Sequence, residues 1–106
     1  MKKYTESELI KGWFVGYFNP TCFSTESAEV AVKRYAAGDS ESRHHHKVAT
    51  ELTFIVEGEV EMNGARYKKG DIIMIVPGES TDFKAITDSI NVVVKVPGAK
   101  NDKYED

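Results

Sequence analysis

The stretch 38–51 reads GDSESRHHHKVATE, and a second glycine, Gly58, closes the apolar run that follows it. In an extended strand alternate side chains share a face, so His44 and His46 point to one side and His45 to the other. At ~3.3 Å per residue their Cα atoms lie roughly 6–7 Å apart, which lets two imidazoles converge on one ion. A short connection then turns the chain back, so a neighbouring strand can bring Glu51 to the same point.

Two imidazoles and one carboxylate form a facial ligand set that suits Fe(II), Mn(II), Zn(II) or Ni(II) and leaves coordination positions open. The sequence therefore predicts a site for one divalent transition metal ion at His44, His46 and Glu51. Two plainer explanations exist, because histidines in a loop are often solvated and idle, and a run of three can be the remains of a tag. This run is central in the chain and flanked by strand-like sequence, which argues against a tag.

Length and charge limit the function further. A chain of 106 residues has room for one domain, 1–106, and a net charge of -3 with a pI near 5.6 argues against a nucleic-acid partner. No apolar stretch approaches the ~20 residues of a membrane span, and the N-terminus lacks the apolar core of a signal peptide. The single cysteine, Cys22, cannot form an internal disulfide, which fits the cytoplasm. We expect a cytoplasmic protein with a small-molecule ligand.

Turn signals separate short β-rich segments along most of the chain, and Asn63-Gly64 in particular is a strong two-residue hairpin signal. The pattern predicts an all-β sandwich or barrel with a core at about 28–97, an aromatic N-terminal arm at 12–18 and a loosely held, charged tail at 99–106. The apolar run 72–76 predicts a fully buried strand. The predicted strands are 28–35, 43–47, 50–57, 60–62, 65–67, 72–76, 81–86 and 90–96.

The frame formed by Gly38, His44, His46, Glu51 and Gly58 resembles the first conserved motif of the cupin superfamily. The resemblance implies a small single-domain cupin with the double-stranded β-helix, or jelly-roll barrel, and a metal ion held by the two histidines and the glutamate.

A second cupin motif begins correctly at Gly70-Asp71 and reaches its turn at Pro77, but its ligand histidine is replaced by Asp82. Asp82 is either a fourth ligand, a general base, a group that orients metal-bound water, or a cap of the turn. The site implied by the resemblance is therefore metal ligation by His44, His46, Glu51 and Asp82, with Glu51 and Asp82 as the catalytic carboxylates.

Three functions fit this pattern. The first is a metal-dependent enzyme with oxygenase, isomerase/epimerase or lyase chemistry on a small oxygen-bearing metabolite. The alternative is a cupin that binds or senses a carbohydrate-like small molecule without turnover. The least favoured is a metal-free sugar-modifying enzyme with a histidine base.

Several predicted strands are apolar on both faces, although a small barrel has only one interior. The outward face, assigned to Leu52, Phe54 and Val56 with Ile73 and Ile75, must then meet the aromatic arm or another subunit. A two-fold homodimer is the usual solution in cupins and fits the thin stability margin of so short a chain.

Overall fold

The computed structural model describes residues 1–106, and it confirms the all-β class. The strands are β1 Trp13–Val15, β2 Glu29–Tyr35, β3 Ser40–His45, β4 Thr50–Glu57, β5 Glu59–Met62, β6 Ala65–Lys68, β7 Ile72–Ile75, β8 Thr81–Ala85, β9 Ser89–Val96 and β10 Tyr104–Glu105. They form two five-stranded antiparallel sheets, in the orders β1-β2-β9-β4-β7 and β10-β3-β8-β5-β6. A single 3₁₀ turn at Glu6–Glu8 is the only helix, and no helix in the chain is long or apolar enough to cross a membrane.

The hydrophobic core lies between the two sheets. On β4 the inner face carries Glu51, Thr53 and Ile55, in the phase that the sequence predicts, and Ile55 is completely buried. The core cluster consists of Ile55, Val60, Met62, Ile75, Phe83 and Ala85. Along β4 the inner face therefore passes from the core at Ile55 to a polar region at Glu51.

The turn between β5 and β6 confirms the hairpin prediction. Met62 pairs with Ala65, so Asn63 and Gly64 form a two-residue turn, with φ values of 50° and 80°. Positive φ at both central positions is the condition that Asn-Gly meets at low cost.

The prediction that the apolar run at β7 is fully buried is wrong. Ile75 is 8% exposed, but Ile72 and Met74 are 62% and 61% exposed. The reason is that β7 is the edge strand of its sheet and turns only one side chain in two toward the core. Ile73 and Ile75 consequently face inward. The prediction that they share the outward face with Phe54 is wrong.

The aromatic arm does not cover the outward apolar face either. Its strand, β1, pairs with β2 at one edge of the sheet, and β7 lies at the other edge. Trp13 stands opposite Ala31, on the inner face of β2.

The tail is also more firmly held than the sequence predicts. Tyr104 and Glu105 pair with His45 and His44, and Asp102 is only 6% exposed. The charge of the segment predicts a loose tail, but the buried carboxylate of Asp102 has specific backbone partners.

Gly58, the glycine that closes the motif, lies where a side chain has neither an allowed backbone conformation nor space. Its φ is +89°, and an added Cβ would collide with the carbonyl oxygen of Asp88. Gly70 has a similar φ of +95° but has no atom within 4 Å of such a Cβ. We expect Gly70→Ala to cost about 1 kcal/mol of unfolding free energy from backbone strain alone, and Gly58→Ala roughly 1–3 kcal/mol more. Urea unfolding of both variants measures this, and equal losses would contradict it.

Candidate functional site

A cavity of about 300 Å³ lies between the sheets where β4 begins. Side chains from both sheets line it, and the polar ones include the four residues singled out by the sequence: His44, His46, Glu51 and Asp82. Its volume is at the lower end of the range for ligand pockets, which is enough for a small metabolite.

A β-bulge aims His44 at this cavity. Glu41 pairs with Phe83 and His44 with Thr81, so β3 has one more residue than β8 between these pairs. Such an extra residue bends the strand and re-aims its side chains. Both Glu41 and His44 therefore line the cavity, although their spacing of three would place them on opposite faces of a regular strand.

The predicted histidine strand ends earlier than expected, at His45, and His46 begins the following loop. The two rings nevertheless lie together, with centroids 5.4 Å apart and planes at 87°. The Nδ1 of His44 lies 3.0 Å from the carbonyl oxygen of Ser42, so a proton on Nδ1 is held there and the Nε2 lone pair is left free. His45 points away, and its Nδ1 lies 2.7 Å from the Asp106 carboxylate.

His46 is the unusual member of the pair. It is 6% exposed, and its buried Nε2 has no hydrogen-bond partner. Burial, followed by the nearby Lys95 and His44, lowers the pKa of His46 to about 4, so the ring is neutral at physiological pH. A buried polar nitrogen without a partner is costly, and a neutral imidazole is the form that ligates metals.

Glu51 lies on the inner face of β4, where its carboxylate accepts a hydrogen bond of 3.3 Å from the Thr53 hydroxyl. Burial raises the pKa of Glu51, while Lys95 and His44 act in the opposite direction. No three His, Cys, Asp or Glu side chains converge closely enough to form a metal cluster as they stand. The two imidazoles and this carboxylate thus share one cavity without meeting at one point, while the free nitrogens and the carboxylate fit a transition metal by donor chemistry.

Asp82 is placed differently. Its neighbours Thr81, Phe83 and Ala85 are buried, so Asp82 lies on the other face of β8. Its Oδ1 accepts a hydrogen bond of 2.7 Å from the Asn63 N–H, which fastens β8 to the β5–β6 turn. The inward residue opposite His44 is Thr81. The structure thus puts Asp82 in a turn-capping position at the cavity rim, and its role as ligand or base stays a prediction.

The alternation along β2 does not by itself show which of its faces points inward. Lys33 and Tyr35 line the cavity, and Val30, Val32 and Arg34 face outward. The Tyr35 hydroxyl donates a 2.7 Å hydrogen bond to Glu41, and burial together with that carboxylate raises the pKa of Tyr35 far above its usual range. The signal that could have decided the phase is Ala31, a small residue that fits against the Trp13 opposite it.

The tail secures the loop that holds His46. The Asp102 carboxylate accepts hydrogen bonds from the backbone N–H groups of Lys47, Val48 and Ala49, at 2.9–3.2 Å. Burial acts to raise the pKa of Asp102, but these three N–H groups outweigh it and hold the pKa below its ordinary value. The loop after His46 therefore has a fixed course set by one carboxylate.

No family model and no curated protein matches the sequence. Solved structures do match. A double-stranded β-helix protein from Klebsiella pneumoniae is 27% identical, with 70% of this chain and 66% of that chain covered and a TM-score of 0.66. A predicted oxalate decarboxylase from Thermotoga maritima is 26% identical, with 68% of each chain covered and a TM-score of 0.61. An RmlC-like cupin from Shewanella frigidimarina is 21% identical, covering 74% of this chain and 72% of that one, with a TM-score of 0.66.

The tail contact predicts the behaviour of Asp102→Asn. An amide cannot accept all three N–H groups, so we expect a loss of about 2–3 kcal/mol of unfolding free energy at pH 7. A carboxylate with a lowered pKa stabilises the fold above its unfolded pKa and stops doing so as pH falls through the folded value. The difference between variant and wild type should therefore be constant from pH 5 to 8 and shrink below about pH 4.

The matched control for Asp102 is Asp39→Asn, since Asp39 is exposed and accepts one N–H, from Ala36. It should cost less than about 1 kcal/mol. Denaturant melts across this pH range measure both variants, and a pH-independent gap between Asp102→Asn and wild type down to pH 3 would contradict the assignment.

Proposed function

We propose, from the premise that this chain has the double-stranded β-helix fold of the cupin superfamily, that it is a metal-dependent enzyme acting on a small oxygen-bearing metabolite. The observation that carries the proposal is the buried Nε2 of His46, which has no hydrogen-bond partner. The neighbouring ring of His44 uses its Nδ1 for the Ser42 carbonyl and leaves its own Nε2 available. A metal ion bound at this nitrogen would supply the partner that the protein does not.

The ligands in this proposal are His44, His46 and Glu51. When bound, a divalent Fe, Mn, Zn or Ni ion would supply Lewis-acid polarisation of a carbonyl or an activated oxygen species. The protein's part is to fix the ligands: the Ser42 carbonyl orients the His44 ring, and the Asp102 carboxylate fixes the loop at His46. Asp82 would serve as fourth ligand or base through its Oδ2, because its Oδ1 accepts the N–H of Asn63.

Within the cavity, the residues that can hold or transfer a proton are Tyr35, Glu41 and Glu51. The Tyr35 hydroxyl keeps its proton, because burial and the Glu41 carboxylate both raise its pKa. Because its one proton is donated to Glu41, the Tyr35 oxygen can accept a hydrogen bond from a substrate hydroxyl, and this is the contribution we assign to it. The second candidate function, a binding or sensor cupin, would keep the metal and the cavity and show no turnover.

Metal binding is tested by elemental analysis of protein purified without a tag. We expect about one Fe, Mn, Zn or Ni ion per chain, lost in the double variant His44→Ala, His46→Ala and reduced in Glu51→Gln, since those side chains supply the donors. His45→Ala is the matched control, because its ring contacts Asp106 and Tyr104 and not the cavity. Metal that survives in the double variant would refute the site.

Turnover separates enzyme from sensor. Wild-type protein loaded with its metal is assayed against sugars, 2-oxo acids and other small organic acids, and Glu51→Gln is assayed in parallel. Turnover abolished by Glu51→Gln supports the enzyme, and ligand binding without turnover across the panel favours the sensor.

We also propose that the chain is a homodimer. The outward face of the β1-containing sheet is apolar across several strands, with Leu52 paired to Val94 and Met74, and Phe54 paired to Val92 and Ile72. The arm lies at the far edge of the sheet and leaves this face open. An apolar face of this extent normally marks an interface, and a second copy presents the same complementary surface.

The oligomeric state checks this proposal. Size-exclusion chromatography with light scattering should give a dimer at micromolar concentration, and Met74→Glu should convert it to a monomer by burying a charge in the interface. Ile10→Glu is the control, since Ile10 is 60% exposed but lies next to the arm. A monomeric wild type would overturn the dimer and leave the metal site untouched.

A further inference from the structure

Two lysines lie at the mouth of the cavity, close to the ring of a tryptophan on β1. The Lys33 ammonium lies 5.5 Å, and the Lys95 ammonium 4.9 Å, from the centroid of the Trp13 ring. All three residues line the cavity that contains His44 and His46. The edge strand β1 thus brings an aromatic face to the only place where the inner faces of β2 and β9 carry cations.

Neither ammonium has an anionic partner. The salt bridges of the chain join Arg34 to Glu6, Arg43 and His45 to Asp106, Arg66 to Glu59, and Lys69 to Glu57. Lys33 donates only to the carbonyl oxygen of Lys11, at 3.3 Å. Lys95 pairs in register with Glu51 but forms no salt bridge with it.

The carboxylates near these lysines form no salt bridge with them, although Glu29 and Glu51 both pair in register with Lys95. Glu41 accepts from the Tyr35 hydroxyl, and Glu51 accepts from the Thr53 hydroxyl and is a ligand in the proposed metal site. A half-buried ammonium group without a direct ion pair is unfavourable, and burial lowers the pKa of Lys33 although the charge of Glu41 acts to raise it. An anion bound at the mouth would remove that cost.

We infer that the substrate is a small organic anion, with its carboxylate or phosphate held by Lys33 and Lys95 and its nonpolar part against Trp13. This inference rests on the proposed function for the other end of the ligand, where an oxygen faces His44, His46 and Glu51. The cavity volume of about 300 Å³ limits the anion to metabolite size. In this arrangement the two lysines select anionic substrates over neutral ones and do not contact the oxygen that reacts.

Trp13 is the only tryptophan in the chain, so its fluorescence reports on this mouth directly. The probes are two matched pairs: lactate against methyl lactate, and glycerol 3-phosphate against glycerol. We expect a saturable change of emission with at least one anion and none with its neutral partner. Saturation by lactate alone assigns a carboxylate, and saturation by glycerol 3-phosphate alone assigns a phosphate.

The lysine variants test the assignment of residues. Lys33→Gln and Lys95→Gln should each raise the Kd, and the double variant should raise it about tenfold or more, since each removes a charge-assisted hydrogen bond. Lys84→Gln is the control, because Lys84 is exposed on the outward face of β8. Calorimetric titration checks that the Kd does not depend on the fluorescence signal, and thermal melts of the single variants identify any that fail to fold.

The same titrations on metal-stripped protein and on His44→Ala, His46→Ala separate the two proposals. Lysine-dependent anion binding that persists there supports this inference even if no metal is found. Protein that holds metal at the histidines but binds neither anion, or binds one equally well in the double lysine variant, overturns this inference and leaves the metal site standing.

Discussion

The two-residue period of β4 is the constraint from which the rest of the molecule follows. Because side chains alternate along a strand, Glu51, Thr53 and Ile55 share the interior, while Leu52, Phe54 and Val56 share the exterior. One strand therefore supplies the core, the cavity wall and the outward apolar face. A register slip of a single residue would exchange all three and place a carboxylate outside with Phe54 inside.

Only three buried polar side-chain atoms lack a hydrogen-bond partner: the Nε2 of His46, the Oγ of Ser89 and the Oδ1 of Asn91. Asp102 has three N–H partners and Tyr35 has a carboxylate, whereas the Nε2 of His46 and the ammonium of Lys95 face the cavity without a charged or hydrogen-bonded partner. One is an unpaired lone pair and the other an unpaired cation. Their chemistry is complementary to a metal cation and an organic anion, respectively, which is why we assign both to one ligand-binding cavity.

Much of the fold could be predicted from sequence because its signals are local. The bounds of β4 and the turn at Asn63-Gly64 follow from alternation and from positive φ, which neighbouring residues determine. The exposure of Ile72 could not be predicted, since it depends on β7 lying at a sheet edge. The phase of Asp82 and the burial of Asp102 likewise depend on partners distant in sequence.

That His44, His46 and Glu51 lie near one another could be predicted from the sequence, but the geometry of the cavity they share could not. Alternation placed His44 and His46 on one side, but the bulge that brings Glu41 in beside His44 arises from the pairing with β8. The inward phase of Lys33 follows from Ala31 lying opposite Trp13, a partner on β1 that the local pattern of β2 does not reveal.

The hydrogen bonds between the Asp102 carboxylate and the loop after His46 also have a consequence for the order of folding. Its carboxylate joins N–H groups that lie 53 to 55 residues earlier in the chain, and closing so long a loop carries an entropy cost that only an assembled structure offsets. We therefore expect the histidine loop to take its final shape after the two sheets have closed. On that expectation a metal ion at the proposed site would bind an assembled barrel rather than nucleate it.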